Sequence, residues 1–375
     1  MKEKFIGLAP MEGVTDFPTR LWFALIGGLT SMATPFCRLT PGMTGNKIPS
    51  HWAPELFHKP ILDKLSYTLT PQIMAQDIDL AASFGKAVLA ASDFVELNCG
   101  CPSPRAVGGG AGSALLKDPE VFRAFIGKLC QALGPGRLSI KMRLGFERSQ
   151  EFERLLQVLL ETPLKRVVIH GRTRQDSYRG DARWQEINEA AMLLPYPVIG
   201  SGDICDISMF QKRAADSEQL AGVLIGRGAL RNPWVFREIS QGEAPVISVS
   251  LLVSILECFA RLHGLYQDNP GCLLEMVAAG TLSQSFDQDI RKWSELKLLL
   301  RELQPKLAIT SLGRTKMLWN YLRSGLDPIF FERGCLRAKS LEEILARIEE
   351  MAPVQEFIPT WDAKLDWAYG KGTSC

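Results

Sequence analysis

The chain has 375 residues, a formal net charge of +2, 46% hydrophobic residues and 22% charged residues. This composition is that of a folded globular protein and excludes disordered, collagen-like and coiled-coil chains. At roughly 150 residues per domain, the length favours one large domain with a smaller appendage. Because the total charge is close to zero, only its distribution along the chain can indicate a polyanionic partner.

The nine cysteines are scattered, and no pair of C-x-x-C spacings occurs. We therefore expect neither a disulfide framework nor a metal site. The first residues, MKEKFIGLAPMEG, contain no apolar stretch of signal-peptide length, and no run of about 18 apolar residues occurs in the sequence. These features predict a reduced, cytoplasmic protein that does not enter a membrane.

Short apolar runs that end on small or polar residues predict eight β-strands. They recur about every 30 residues, at 5–10, 29–36, 69–76, 93–100, 137–145, 166–172, 196–203 and 221–228. Most stretches between them carry apolar residues at helical spacing. This alternation predicts an α/β fold, namely a (β/α)8 TIM barrel, although a doubly wound sheet uses similar units.

The positions of the unusual residues favour the barrel. At or just beyond the C-terminal ends of the runs lie Met11, Gln76, Asn98, Cys101, Arg143, His170, Asp203 and Arg227. In a barrel these ends converge on one mouth, where catalytic groups collect. The alternative explanation is that strand ends simply precede polar loops.

Near residue 240 the pattern becomes helical, with three amphipathic stretches that suggest a small bundle. We predict a barrel domain over 1–243, an all-helical domain over 244–340 and a C-terminal extension of unknown role over 341–375. Residues 291–340 contain eleven Lys and Arg against four Asp and Glu, a local net charge of +7. Such a basic lobe is expected of a protein that binds a phosphate backbone, although a solvated helical face has the same appearance.

The segment VELNCGCPSP (95–104) ends a strand and opens a glycine-rich loop with two thiols, Cys99 and Cys101. A free Cys at such a junction is often an inert buried side chain. It can also be a nucleophile or a proton donor, because an ordinary thiol pKa near 8.5 leaves it protonated at neutral pH. No acidic third member for a Cys–His hydrolase lies nearby, and the residues alone leave the inert and the reactive roles open.

The later strands carry cations and glycines that predict a bound phosphate group. Lys141 and Arg143 point the same way on one strand, and buried cations are costly unless they meet an anion. His170 and Arg172 repeat this alternation on the next strand. The seventh and eighth runs close on glycines, and Arg227 lies between two of them; glycines here let backbone N–H groups approach phosphate oxygens.

The motifs LAPMEGVTD (8–16), NCGCPSP (98–104) and KMRLG (141–145) together resemble those of the tRNA-dihydrouridine synthases, and the resemblance covers roughly residues 5–325. It implies FMN at the barrel mouth, NADPH as reductant and a helical domain that binds tRNA. Glu12 and RTKMLWNYLR are most similar to the bacterial branch that acts on uridine 16. Other D-loop positions (20 or 20a), a flavin barrel that reduces a small molecule, and an RNA-binding barrel without catalysis are the alternatives.

The resemblance also assigns residues. The catalytic acid would be Cys101, chosen over Cys99 because it precedes a proline; strand alternation gives both thiols the same initial direction. The FMN-binding residues would be Pro10, Met11, Glu12, Gln76, Lys141, His170, Ser201, Gly202, Asp203, Gly226 and Arg227. The uridine and tRNA contacts would be Arg38, Asn98, Arg143, Tyr178, Arg291, Lys297, Arg314, Lys316, Asn320 and Arg323. The expected partner is tRNA, with no DNA, and the protein is expected to be monomeric.

The expected chemistry is consistent with these assignments. Reduction of the uracil C5=C6 bond needs a hydride from the flavin and a proton from the thiol on the opposite face. A lysine beside the reduced flavin stabilises its negative charge. Because a stacked base cannot be reached, the tRNA must extrude it, and phosphate contacts to a basic lobe offset the unstacking cost.

Overall fold

The computed structural model describes residues 4–43, 48–49, 51–215, 217–304, 309–326, 334–350 and 356–359. Within them, short parallel strands form one sheet in the order β3-β5-β6-β7-β8-β9-β10-β1-β2-β4. The strands are β1 (Phe5–Leu8), β2 (Ser31–Ala33), β3 (Cys37–Arg38), β4 (Thr68–Thr70), β5 (Gln72–Met74), β6 (Val95–Cys99), β7 (Leu138–Arg143), β8 (Arg166–His170), β9 (Val198–Ser201) and β10 (Gly222–Ile225).

Two prolines divide what are, in effect, two continuous barrel strands. Pro35 lies between β2 and β3, and Pro71 lies between β4 and β5; proline has no N–H to donate to a ladder. Since β2 pairs with β4 and β3 pairs with β5, the two ends of the sheet belong to neighbouring strands and the sheet closes on itself. The eight resulting strands match the eight predicted runs. The TIM-barrel prediction is confirmed, and the doubly wound alternative is wrong.

Helices follow the strands and cover the barrel: α1 (Phe17–Ile26), α2 (Lys59–Leu62), α3 (Ile78–Val88), α4 (Pro104–Gly108), α5 (Pro119–Leu133), α6 (Glu151–Leu160), α7 (Trp184–Leu193), α8 (Ile207–Phe210), α9 (Arg227–Arg231) and α10 (Val235–Gln241). Helix α5 shows how the sequence fixes such an element. Its Asp118 cap accepts from the Glu120 N–H, Pro119 occupies the first turn, and Gly134 ends the helix at φ +96°. Phe122, Ile126 and Leu129 recur at helical spacing and are buried against the barrel.

Beyond the barrel the chain is mainly helical, with α11 (Val249–Asp268), α12 (Pro270–Ala278), α13 (Ile290–Leu303), α14 (Ile309–Leu322) and α15 (Leu341–Glu349). Helix α11 is the centre of this region, because α12, α13, α14 and α15 all contact it and it also packs on the barrel helix α1. It is long and apolar enough to span a bilayer, yet 89% of its apolar window is buried inside the protein. Its apolar composition is therefore that of a core helix.

The described part of the predicted extension joins the helical region. Strand β11 (Ile247–Ser248), which follows the barrel, pairs antiparallel with β12 (Glu356–Phe357). Helix α15 lies between these two strands in the chain and packs on α11. Residues 327–333 of the predicted helical domain, and 351–355 and 360–375 of the extension, lie outside the described residues. The domain boundaries stay a prediction.

Candidate active site

A cavity of about 990 Å³, including its open mouth, lies at the C-terminal ends of the barrel strands. Most of the residues predicted from sequence line it: Pro10, Met11, Glu12, Asn98, Cys101, Lys141, Arg143, His170, Tyr178, Ser201, Gly202, Asp203, Gly226 and Arg227. They come from the C-terminal ends of six different strands and from the loops that follow them. The barrel thus brings together residues that are up to 217 positions apart in sequence, from Pro10 to Arg227.

Two of the predicted barrel residues do not line the cavity. Gln76 is exposed, and its carboxamide lies beside the backbone of Gly110 in the glycine-rich loop. Gln72, on the preceding strand, is fully buried and does not line the cavity either, but its Oε1 accepts from Nδ2 of the lining residue Asn98 at 2.8 Å. The structure therefore does not place Gln76 at the cavity. Arg38 also lies outside the cavity, where its Nη1 donates to the carbonyl oxygen of Arg105 at 3.4 Å.

The two thiols of the NCGCPSP segment have different surroundings. Cys99 is fully buried in the hydrophobic core, and this burial raises the pKa of its thiol. Cys101 is half-buried and lines the cavity. Its carbonyl oxygen accepts from Ser113 Oγ at 2.8 Å, where Gly112, at φ +61°, folds the glycine-rich loop back against it. The structure thus distinguishes two cysteines that strand alternation could not.

Asn98 holds the backbone that carries Cys101. Its Oδ1 accepts from the N–H of Gly100 at 3.0 Å and from the N–H of Cys101 at 2.9 Å. Arg143 holds the same segment from the other side, because its Nε donates to the carbonyl oxygen of Gly100 at 2.9 Å. Two residues expected to face a flavin or a uracil therefore also fix the cysteine loop.

Buried cations dominate the floor of the cavity. Burial lowers the pKa of Lys141 to about 8, and the carboxylate of Glu96 opposes this effect. Burial also lowers the pKa of Arg143 to about 10. The pKa of His170 lies well below its ordinary value, first because the ring is buried and then because Arg143 and the other cations surround it. His170 is therefore neutral at physiological pH.

The wall formed after β8, β9 and β10 combines ion pairing with close backbone packing. Asp203, at φ +50°, accepts from Arg172 at 2.7 Å and from the N–H of Ala182 at 2.7 Å. The sequence associated Arg172 with His170 by alternation but did not include it among the site residues, since its partner is 31 positions away. Gly202 has φ +128°, and a Cβ there would lie 2.7 Å from that of Ala182.

The arrangement of charges fits an anionic cofactor. Four cations line the cavity, namely Lys141, Arg143, Arg172 and Arg227, and only Glu12 and Asp203 oppose them. Asp203 is already paired with Arg172, and the guanidinium of Arg227 lies 3.6 Å from the ring centre of Tyr178. Since desolvated cations are costly without a counter-charge, this lining favours a ligand that carries phosphate or another anion. Among the described residues, no cluster of His, Cys, Asp and Glu could hold a metal ion.

The predicted tRNA residues of the helical region lie outside the cavity and differ from one another. The side chain of Arg291 is 85% exposed. Lys297 Nζ donates to Ser254 Oγ at 3.2 Å, and Arg323 donates to Asn320 Oδ1 at 3.0 Å. Lys316 is half-buried on α14.

Arg314 connects the helical region to the barrel mouth. Its Nη2 donates to Asp16 Oδ2 at 2.5 Å, and its Nη1 donates to the carbonyl oxygen of Gly13. Both partners belong to the LAPMEGVTD loop, whose Met11 lines the cavity. Asp16 also caps α1, because its Oδ1 accepts from the N–H of Thr19 at 3.3 Å and from Thr19 Oγ1 at 2.8 Å.

Comparison with known proteins identifies the family. A sequence model of the dihydrouridine synthases matches residues 7–261. The tRNA-dihydrouridine(16) synthase of Escherichia coli strain K12 is 34% identical over 269 residues, which cover 69% of this chain and 84% of that protein. The protein of the same name from Salmonella typhimurium is 33% identical over 271 residues, covering 69% and 85% of the two chains.

Solved structures show weaker similarity. An old yellow enzyme homologue from Zymomonas mobilis has 11% identity and a TM-score of 0.43, over 63% of this chain and 88% of that chain. Morphinone reductase has 12% identity and the same TM-score, over 64% and 86%. Similarity at this level supports no functional conclusion, so the assignment rests on the sequence matches. The chain belongs to the dihydrouridine synthase family.

Proposed function

We propose that this protein reduces the C5=C6 bond of uridine 16 in tRNA to 5,6-dihydrouridine, with FMN as the bound cofactor and NADPH as the reductant. The observation that carries the proposal is the position of Cys101, a half-buried thiol that lines the same cavity as the cations Lys141 and Arg143. Relatives named for position 16 support the choice of that uridine.

The residues of the cavity fit FMN. Gly202, Gly226 and Arg227, after β9 and β10, would hold its phosphate, because glycines there let backbone N–H groups approach the oxygens. Lys141, which also lines the cavity, would hold the flavin ring. When bound, the flavin supplies a hydride that it has received from NADPH.

The chain itself supplies the proton and the charge. Cys101 would hold a proton at Sγ and transfer it to uracil C5, while a hydride reaches C6, so that the two atoms added to the double bond balance. Lys141 would hold positive charge against the negative charge that develops during reduction. His170, whose pKa is lowered by burial and then by the surrounding cations, would hydrogen-bond in its neutral form without adding a further charge. Tyr178 would pack beside the extruded base.

The helical region would hold the tRNA. The base must leave its stack to reach the cavity, and phosphate contacts to exposed cations such as Arg291 would offset that cost. Lys316, Asn320 and Arg323 on and after α14 would contribute to the same surface. We further propose that the protein acts as a monomer in the cytoplasm.

The proposal is tested by mapping the product. Purified protein is incubated with NADPH and an unmodified tRNA transcript, and nuclease fragments are analysed by mass spectrometry. We expect yellow protein that releases FMN on denaturation and one dihydrouridine, at position 16; a transcript with cytidine at 16 should give none. Product at position 20 or 20a would reassign the uridine. A colourless protein that takes up no FMN, or one that oxidises NADPH with a small enone but not with tRNA, would refute the proposal.

A further inference from the structure

A chain of three buried polar side chains runs beneath the cysteine loop. Glu96 is 1% exposed, Gln72 0% and Asn98 6%. Glu96 Oε1 accepts from Gln72 Nε2 at 2.7 Å, and Gln72 Oε1 accepts from Asn98 Nδ2 at 2.8 Å. Asn98 Oδ1 then accepts from the backbone N–H groups of Gly100 and Cys101. These hydrogen bonds therefore link the interior of the barrel to the backbone of Cys101.

The chemistry of its two ends fixes the direction of every bond in this chain. A carboxylate only accepts, so the NH2 group of Gln72 must face Glu96. A backbone N–H only donates, so the oxygen of Asn98 must face Cys101. The remaining pair, Asn98 Nδ2 and Gln72 Oε1, is then a donor facing an acceptor. With any one of these groups reversed, two donors or two acceptors would meet inside the barrel.

Glu96, at the end of this hydrogen-bonded series that is remote from Cys101, is itself anchored. The second carboxylate oxygen of Glu96 accepts from Ser139 Oγ at 3.2 Å and lies 3.9 Å from Arg166 Nη2. The Arg166 guanidinium in turn lies between the rings of Phe5 and Phe94, at 4.8 and 4.7 Å from their centres. Glu96 is thus held by the barrel interior rather than by the cavity, which it does not line.

We propose that Glu96 is a positioning residue for Cys101: as the acceptor-only end of the chain it orients Gln72 and Asn98, and Asn98 fixes the backbone of the thiol. The inference rests on the proposed role of Cys101 as proton donor. It gives a buried carboxylate with no contact to the cavity a place in the reaction. A displacement of about 1 Å at such a donor is enough to cost on the order of a hundredfold in rate.

The test compares Glu96→Ala, which removes the acceptor, with Glu96→Gln, which keeps an oxygen for Gln72 but removes the charge. The first readout needs neither flavin nor tRNA: the rate at which iodoacetamide alkylates Cys101, measured by peptide mass spectrometry. The half-buried Cys272 on α12 is the internal reference. The second readout is kcat and KM with tRNA.

In Glu96→Ala we expect Cys101 to be alkylated at least about threefold faster relative to Cys272, since its loop opens locally. We expect kcat to fall by about tenfold or more with the KM for tRNA unchanged. Glu96→Gln should restore Cys101 alkylation to within about twofold of the wild-type rate, because the acceptor is retained. Ser139→Ala removes the hydroxyl that donates to the second carboxylate oxygen and to the Arg166 carbonyl but leaves the acceptor for Gln72 in place; it is the matched control and should leave both readouts unchanged.

Unchanged alkylation and kcat in Glu96→Ala would overturn the proposal, and so would a Glu96→Gln variant whose Cys101 is alkylated as fast as in Glu96→Ala. If Glu96→Ala does not fold by circular dichroism, Gln72→Met is used in its place. It interrupts the same series of hydrogen bonds between Glu96 and Asn98, and we expect the same results. The alkylation result is independent of the proposed function. Wild-type protein that makes no dihydrouridine while alkylation responds as expected would refute the function alone; dihydrouridine formation without an alkylation response would refute the positioning role alone.

Discussion

The barrel mouth and the helical region both carry cations, but in opposite physical states. In the mouth, burial lowers the pKa values of Lys141 and Arg143. In the helical region, the side chain of Arg291 is 85% exposed. There the hydrogen bond that Arg301 donates to Glu257 raises the pKa of Arg301. Buried cations are costly because they lose hydration, so they indicate a site for one particular anion. Exposed cations attract any polyanion, over a distance that the salt concentration determines.

Because the two sets of cations differ in burial, we expect substitutions in the mouth and in the helical region to have different effects. Changes in the mouth should alter chemistry and cofactor binding with little dependence on salt, because buried charges are poorly screened. Changes on the exposed helical surface should alter tRNA affinity, and should do so less at high salt. Residues that join the two regions should affect both quantities.

The two thiols give the largest expected contrast. Cys101→Ala should lower kcat by about 10² to 10⁴, because it removes the proposed proton donor, and should leave the free energy of unfolding unchanged. Cys99→Ala removes a fully buried sulfur, so it should cost about 1 kcal/mol in the free energy of unfolding while keeping most activity. The measurements are dihydrouridine formation and urea unfolding. Retained turnover in Cys101→Ala would reassign the acid.

Part of the fold and of the site could be predicted from the sequence. The eight strands were predictable because each apolar run ends on polar or small residues, and the barrel then brings those ends together. Gln76 was misplaced because residues 72, 74 and 76 share a face by alternation, and nothing local shows that the strand, restarted after Pro71, ends at Met74.

Contacts between distant segments were out of reach. The bond between Arg314 and Asp16 joins residues 298 positions apart, and the pairing of β11 with β12 spans more than a hundred. Such contacts depend on how a helical region docks on a barrel, which no local pattern encodes. The sequence therefore identified Arg314 as a basic residue of the helical region but not as a bridge to the LAPMEGVTD loop.

Lys141 gives the next largest effect, through pH. Burial lowers its pKa from 10.5 to about 8, so between these values the unfolded chain binds the extra proton. Stability should therefore rise with pH over this window, by up to about 3 kcal/mol, and the cost of burying the charge is fully present below pH 8. Lys141→Met should lack this rise. Urea unfolding of the flavin-free protein at pH 7.5, 9 and 10.5 measures it, and parallel curves for the two proteins would contradict the assignment.

The same titration should control cofactor binding. If the protonated lysine attracts the anionic flavin, FMN affinity should fall about tenfold between pH 7 and pH 9 in the wild-type protein. Lys141→Met should bind FMN more weakly, with little change over this range. Quenching of flavin fluorescence reports the affinity. A pH-dependent fall of the same size in Lys141→Met would assign the titration to another group.

Arg314 should produce a smaller, mixed effect because it joins the two regions. Arg314→Ala removes the bonds to Asp16 and to the Gly13 carbonyl, so we expect a loss of about 1 kcal/mol in stability together with a lower kcat and a higher KM for tRNA. Arg314→Lys keeps the charge but lacks the planar fork that reaches both acceptors, and should recover only part of the KM. An effect on KM alone would show that the bridge to the loop has no catalytic consequence.

Arg291 should give the smallest effect and the simplest one. Its side chain is exposed beside Asp289 at the start of α13, so Arg291→Ala should change stability by less than about 0.5 kcal/mol and leave kcat unchanged. The KM for tRNA should rise a few-fold at low salt, and the slope of log affinity against log salt should decrease by about one unit for one lost phosphate contact. Titrations at about 50 and 200 mM salt measure that slope. If the slope is unchanged while that of Arg314→Ala falls, the tRNA lies against the bridge side of the helical region rather than against the start of α13.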